Sequence, residues 1–412
     1  MKIVKIGLIT FAALIICAVA LSTFYYNYYS PKKIKIEPDS TAMSYYKKTY
    51  DDARALFRFN SDSLIAGFKG AEKSMFKVPS KKDNDLTVDL LYIPAQKTRK
   101  RLIIVSSGIH GVEGFVGSAV QAMLMKEFMT DDMLSHTGFL FIHGMNPYGF
   151  KYIRRTTENN VDLNRNSSNT ADLYQTKNTG YPAVTDLINP EGEAKTRTFS
   201  NIFFHLRSIK KIISASMPVL RQAVLQGQYE YPKGVYYGGA KPEPQIVSVA
   251  PYIVKYSAGY PLIMNIDLHT GYGENGTAHL FPNPVKNPEI KAMMEKAYDG
   301  YRIDWGDSGN FYTVTGDFTG YMGKLVKGTY LPMLIEYGTL DSQTTMGSIN
   351  SLHRTLLENQ GFNNGYASEA DRERVVKKFR KMYYPSSPAW KTKVINDTRV
   401  MLKKVFQNLK TL

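Results

Sequence analysis

The sequence predicts an α/β fold: a mostly parallel, mixed twisted sheet with helices on both faces, preceded by one N-terminal apolar helix. Three observations predict it. Short apolar runs of strand length lie at 86–93, 102–106, 139–142, 261–267 and 331–335. Longer stretches with apolar residues at helical spacing lie at 115–128, 201–226, 344–358, 368–382 and 390–410. Strands that alternate with helices build a parallel sheet that needs cover on both faces.

The first element is a targeting segment. Lys2 and Lys5 precede a 19-residue apolar run at 6–24, close to the roughly 20 residues that span a bilayer as a helix. Phe24, Tyr25, Tyr26, Tyr28 and Tyr29 follow like an interfacial aromatic belt. Ala18-Val19-Ala20 offers a cleavage site, so the segment reads as a signal peptide or a signal anchor. The length and the tyrosine belt favour the anchor. Both readings put the following domain outside the cytoplasm, periplasmic or extracellular. Residues 25–40 read as a linker, 41–365 as a catalytic domain with an insertion at about 167–245, and 366–412 as a basic helical extension.

Bulk composition narrows the class. The 412 residues are 43% hydrophobic and 21% charged, enough for a sizeable core and unlike a disordered chain. The net charge is +16, and 371–412 alone holds 12 Lys/Arg against 3 Asp/Glu, which reads as solvated helix surface or a contact with anionic headgroups. No nucleic-acid-binding motif accompanies the charge. Cys17 is the only cysteine, so an intrachain disulfide and a thiolate metal site are both excluded.

Four motifs follow predicted strands. After 102–106 come His110 and Glu113 among glycines. After 139–142 come Asn146, Pro147, Gly149 and Phe150, then Arg154 and Arg155, then Asp162, Asn164, Arg165 and Asn166. After 261–267 comes His269, with Asp267 two residues before it. Glu336 closes 331–335. Two histidines and a glutamate make a three-ligand zinc site with a position left open, the pattern of hydrolytic rather than structural zinc. A further carboxylate must move the proton of the attacking water, and Glu336 suits that role because partial burial raises its pKa. Arg154 or Arg155 can stabilise an oxyanion. Arg165, beside Asn164, can clamp a substrate carboxylate.

In this order the motifs resemble the zinc carboxypeptidase family, of the carboxypeptidase A type, together with succinylglutamate desuccinylase and aspartoacylase. The resemblance covers about 85–340. It implies a zinc-carboxypeptidase-like fold and one Zn2+ held by His110, Glu113 and His269. It implies Glu336 as the base, Arg155 or Arg154 at the scissile carbonyl, and Asn164 and Arg165 on the substrate's carboxylate. It also implies a mobile tyrosine, matched by Tyr312 four residues before Gly316. The expected reaction is hydrolysis of an amide next to a free carboxylate, with a peptide or N-acyl amino acid as substrate. An N-acyl amino acid deacylase and an inactive carboxylate-binding module are the alternatives. His143 reads as a hydrogen-bonded loop residue rather than a ligand, His279 as either a support behind the third-ligand loop or a structural residue, and Gly306-Asp307-Ser308-Gly309 is discounted as a serine-protease motif because that chemistry is recognised by geometry, not by a short string.

Overall fold

A computed structural model describes residues 2–305 and 314–412. One sheet holds β1 (Glu72–Lys77), β2 (Thr87–Ile93), β3 (Arg101–Ser107), β4 (Thr137–His143), β5 (Leu262–Gly271), β6 (Ala278–Phe281) and β7 (Thr329–Gly338). Their order is β1-β2-β4-β3-β5-β7-β6. β4, β3, β5 and β7 are parallel, and the β1–β2, β2–β4 and β6–β7 pairings are antiparallel. Parallel strands are buried on both faces, so β3 and β4 bury every residue and read as unbroken apolar runs.

The longer helices are α1 (Lys2–Tyr28), α2 (Tyr50–Gly67), α3 (Gly114–Glu127), α4 (Phe204–Ala215), α5 (Met217–Leu225), α6 (Pro244–Ser257), α7 (Pro288–Ala297), α8 (Phe318–Leu325), α9 (Thr345–Asn364), α10 (Glu369–Tyr383) and α11 (Pro388–Leu409). α2, α3, α7 and α11 cover one face of the sheet: Phe57 of α2 stacks on His143, and Tyr298, just past α7, reaches Met264. α6 and α8 cover the other, where Tyr256 stacks on Tyr92 and Tyr330 donates to the Thr319 carbonyl. The α/β sandwich is therefore the one the sequence predicts.

Two boundaries differ from expectation. α1 runs on to Tyr28, so part of the expected linker is helix. Its span Lys5–Tyr28 is long and apolar enough to cross a membrane by length and composition. The C-terminal segment is not a solvated extension. α11 buries Trp390, Val394, Ile395, Leu402, Val405 and Phe406 in the main core, and Trp390 Nε1 donates to the Gly338 carbonyl at the end of β7 (2.9 Å). The basic residues of α11 occupy the remaining faces, and their number hides an apolar stripe at helical spacing.

The insertion does more than cover the rim. Tyr181, Leu187, Phe204 and Val224 join Ile349 and Leu356 of α9 in a second apolar core, separate from the main one. That second core forms the wall of the site.

Candidate active site

The motif residues gather at the C-terminal ends of β3, β5 and β7, where open α/β sheets bind ligands. β3 is followed by Gly108, which has φ +71° and packs so close to Gly144 that a Cβ would lie 3.1 Å from its Cα. The chain then turns sharply and delivers His110 and Glu113 around a short 3-10 turn. That turn is fastened to the arginine loop: Gly111 N donates to Arg155 O (3.2 Å) and Val112 N to Arg154 O (2.9 Å). Asn146 holds the same loop, accepting from Gly149 N (2.9 Å) and donating to Arg155 O (3.1 Å). A side chain at Gly149 would strike the Arg154 carbonyl at 2.6 Å. The Asn-Pro-x-Gly-Phe motif thus places an arginine rather than doing chemistry itself.

His110, Glu113 and His269 converge. One ligand atom from each lies within 4.8 Å of the others, and all three residues are buried. The two Nδ1 atoms face each other at 3.2 Å, and each is about 3 Å from a Glu113 oxygen (2.9 and 3.0 Å). Behind them stand two carboxylates: Asp162 Oδ1 is 3.1 Å from His110 Nε2, and Asp267 Oδ2 is 2.7 Å from His269 Nε2. With each Nε2 proton given to its carboxylate, both Nδ1 lone pairs and the Glu113 charge point at one spot. Such a donor set fits a cation, and carboxylates behind ligand histidines are the usual device for fixing tautomer and ring. Two imidazoles and a carboxylate suit zinc. Burial alone would raise the Glu113 carboxyl, but His110 and His269 outweigh it and hold it below the usual range.

Asp162 also caps the short helix Leu163–Asn166, accepting from Asn164 N (2.9 Å), and binds Arg155 Nε (3.0 Å). Burial pushes its carboxyl up, and the Arg155 and His110 charges overcome this and keep it ionised. Arg155 Nη2 lies 2.6 Å from His110 Nε2 as well. A guanidinium N–H cannot donate to a nitrogen that itself donates, so the two contacts compete for Nε2; with the Nε2 proton toward Asp162, the Nδ1 lone pair is free for a cation. Arg155 faces the cavity, whereas Arg154 does not. Arg154 is buried against Glu358 (2.7 Å) and Asn160 (3.1 Å), with its guanidinium over the Phe362 ring. The structure thus separates the two neighbours that the sequence leaves level.

Glu336 stands opposite His269 in the β5–β7 register and accepts from Tyr272 N (2.9 Å). Burial first, and the Glu113 charge second, push its carboxyl up to about 8. It lines the same cavity as His110, Arg155, Asn164, Arg165 and His269. Arg165 is held by the last carbonyl of α5, donating to Leu225 O from Nε (3.1 Å) and Nη2 (2.7 Å). Asn164 Oδ1 accepts from Phe318 N (2.9 Å). Tyr312 lies outside the described residues, as does the 306–309 string. His143 bonds Ser118 (3.1 Å) and His279 accepts from Glu274 N (3.0 Å); neither joins the ligand group.

Two tyrosines at the site have no signal in the sequence. Tyr236, from the insertion, sits between Arg155 and Arg165, with guanidiniums 5.2 and 5.8 Å from its ring centre. Its φ of +56° is a costly conformation for an aromatic residue. Tyr383, the last residue of α10, lies against Gly271 and faces the cavity, and burial raises its phenol while Arg155 opposes. Only tertiary packing brings either here. Asp267 was legible, since a residue two before His269 on a strand shares its face.

The sequence matches, over residues 46–397, the family described as a protein of unknown function, DUF2817. The chain belongs to that family. No curated protein matches it. Among solved structures, this DUF2817 member is similar to bovine thrombin-activatable fibrinolysis inhibitor, in a complex with tick carboxypeptidase inhibitor, at 12% identity over 81% of this chain and 99% of that one, TM-score 0.40. It is similar to a Pseudomonas aeruginosa metallo-carboxypeptidase at 12% identity over 77% and 70% of the two chains, TM-score 0.37. Carboxypeptidase A from Helicoverpa armigera gives 12% over 77% and 74%, TM-score 0.38. At these identities and scores, the roles of the DUF2817 residues rest on their own geometry.

Proposed function

We propose that this chain is a zinc-dependent hydrolase that cleaves an amide bond next to a free carboxylate. The observation that carries the reading is the convergence of His110, Glu113 and His269, each histidine backed by a carboxylate, on a cavity that Glu336 and Arg155 also face. The chemistry that zinc supplies in such a site is Lewis-acid polarisation of a carbonyl and a water acidified toward neutral pH. Glu336 takes the water's proton and returns it to the departing nitrogen, a task for which its carboxyl is placed on the same cavity as the candidate ligands. Arg155 donates to the carbonyl oxygen as charge builds on it. Asn164 and Arg165 hold the substrate's carboxylate. A module that only binds carboxylates has no use for a half-buried, proton-hungry Glu336.

α1 serves as the membrane anchor in this reading, with the catalytic domain outside the cytoplasm. The support is its apolar span and the exposure of its large side chains from Ile6 to Leu21. Metal content of the purified protein, and chelator-sensitive hydrolysis over a panel of peptides and N-acyl amino acids, test the activity. Glu336→Gln is expected to keep zinc and lose hydrolysis. A zinc-loaded protein that cuts nothing, or a Glu336→Gln variant with full activity, refutes the proposal.

A further inference from the structure

The cavity that holds the site extends well beyond what a small amide needs. Its volume is about 470 Å³, within the range of pockets that enclose whole drug-sized ligands. Away from the metal group its walls come from the second apolar core: Leu187, Ile212, Leu220, Val224 and Leu352, with the hydroxyls of Ser208 and Ser351 between them. Four of those five aliphatic residues belong to the insertion, and Ile212, Leu220 and Val224 are on the α4–α5 hairpin. The same hairpin grips the carboxylate-binding arginine through Leu225 O.

The outer side of this region is also apolar. Phe199, Ile213 and Val219 are 77%, 81% and 59% exposed, and Leu206 is exposed beside them in sequence. Between Ala194 and Tyr229 the chain has six Lys/Arg and no Asp/Glu. Exposed apolar side chains among basic ones are the composition of a segment that lies in a membrane interface. Its position relative to α1 agrees. The large side chains of α1 are exposed from Ile6 to Leu21, and from Ser22 one face of the helix docks while Phe24 and Tyr28 stay exposed: Ser22 Oγ donates to the Ile202 carbonyl and Tyr26 to the Thr196 carbonyl, and Tyr25 packs on His205. A helix that leaves the bilayer at this point puts Thr196, Ile202 and the start of α4 at the membrane surface.

We propose that the substrate is a membrane-held N-acyl amino acid, its long acyl chain entering the cavity past the α4–α5 hairpin while Asn164 and Arg165 hold its carboxylate. The inference rests on the hydrolase reading above. The water oxygen bonds to the acyl carbon, the carbon–nitrogen bond breaks, and the nitrogen takes the proton. The products are a free fatty acid and a free amino acid.

The test uses the full chain in vesicles of phosphatidylethanolamine and phosphatidylglycerol, with N-acyl alanines carrying two to about fourteen acyl carbons. kcat/KM is expected to rise about fourfold per methylene until the cavity is filled. Leu220→Trp and Leu352→Trp are expected to cut the long-to-short ratio of kcat/KM at least tenfold. A second readout needs no turnover: chelator-treated protein should bind dodecanoate more tightly than hexanoate. Phe199→Ser/Ile213→Ser/Val219→Ser should slow hydrolysis of the vesicle-held substrate at least tenfold more than that of the short, water-soluble one. Equal efficiency toward acetyl and dodecanoyl substrates, with no preference for dodecanoate, overturns the acyl-chain assignment and leaves the hydrolase standing. Selective dodecanoate binding without hydrolysis of any amide overturns the hydrolase reading and leaves the cavity's preference intact. An unchanged vesicle-to-soluble ratio in the triple variant removes the interfacial seat.

Discussion

Replacing Asp267 by Asn tests the metal site without touching a ligand. Asp267 is fully buried, its Oδ2 lies 2.7 Å from His269 Nε2, and its Oδ1 accepts from Ser106 Oγ (2.7 Å). Asparagine has the same shape but no charge, and its amide can turn an NH2 toward Nε2, which drives the imidazole proton onto the ligating Nδ1. Loss of an outer carboxylate of this kind weakens metal binding about 10–100-fold. At fixed free zinc in excess of the dissociation constant, that is a loss of about 1.4–2.7 kcal/mol of metal-dependent stability. The assay is zinc competition against a chelator of known affinity, with denaturant unfolding of the loaded and chelated forms of both proteins. The loaded variant should lose stability by the amount its affinity loss dictates. An Asp267→Asn protein that holds zinc as tightly as the parent shows that His269 is not a ligand through Nδ1, and the site has been misread.

The paired arginines separate by role, though each is paired with a buried carboxylate: Arg155→Met should lower kcat/KM by about 100-fold or more, besides the stability it loses by stranding buried Asp162. Arg154→Met should destabilise the fold by about 3–5 kcal/mol, because it strands buried Glu358, and leave kcat/KM of the folded protein nearly unchanged; denaturant titration and steady-state kinetics on both variants decide. Glu336 titrates at about 8 in the folded chain against an ordinary 4.5. Between those values the folded chelated protein keeps a proton that the unfolded chain has lost, so stability falls as pH rises. Glu336→Gln should flatten that slope in unfolding curves taken from pH 5 to 8. Trp390→Ala should cost about 3–5 kcal/mol, measured by the same unfolding assay, since it empties a buried site and removes the bond to Gly338 O.

The sheet's centre was legible because parallel strands carry their burial in their sequence. The 102–106 and 139–142 runs are β3 and β4 to within two residues at either end. The edges were not legible. β1 alternates inner and outer residues that are only half-buried, and β6 is four residues long. α6 was hidden by Pro251 inside it, since an interior proline removes a helix hydrogen bond and ordinarily marks a helix boundary. The motif residues could be read because each follows a strand end, where the fold itself places ligands. Tyr236 and Tyr383 could not, since they arrive from a strained loop and a distant helix terminus. In the tail, charge is a poor guide to burial and the helical spacing of Trp390, Val394 and Leu402 a good one.

The position of Tyr383 bears on how the cavity is put together. His110, Glu113, His269 and Glu336 all come from 110–336, but the wall that Tyr383 provides and the α11 helix that clasps β7 at Gly338 come from 383–409. A polypeptide cut before Tyr383 keeps the candidate ligands but has no closed cavity. Segments far apart in sequence thus build one site, which forms only once the helices of 369–409 have docked on the sheet.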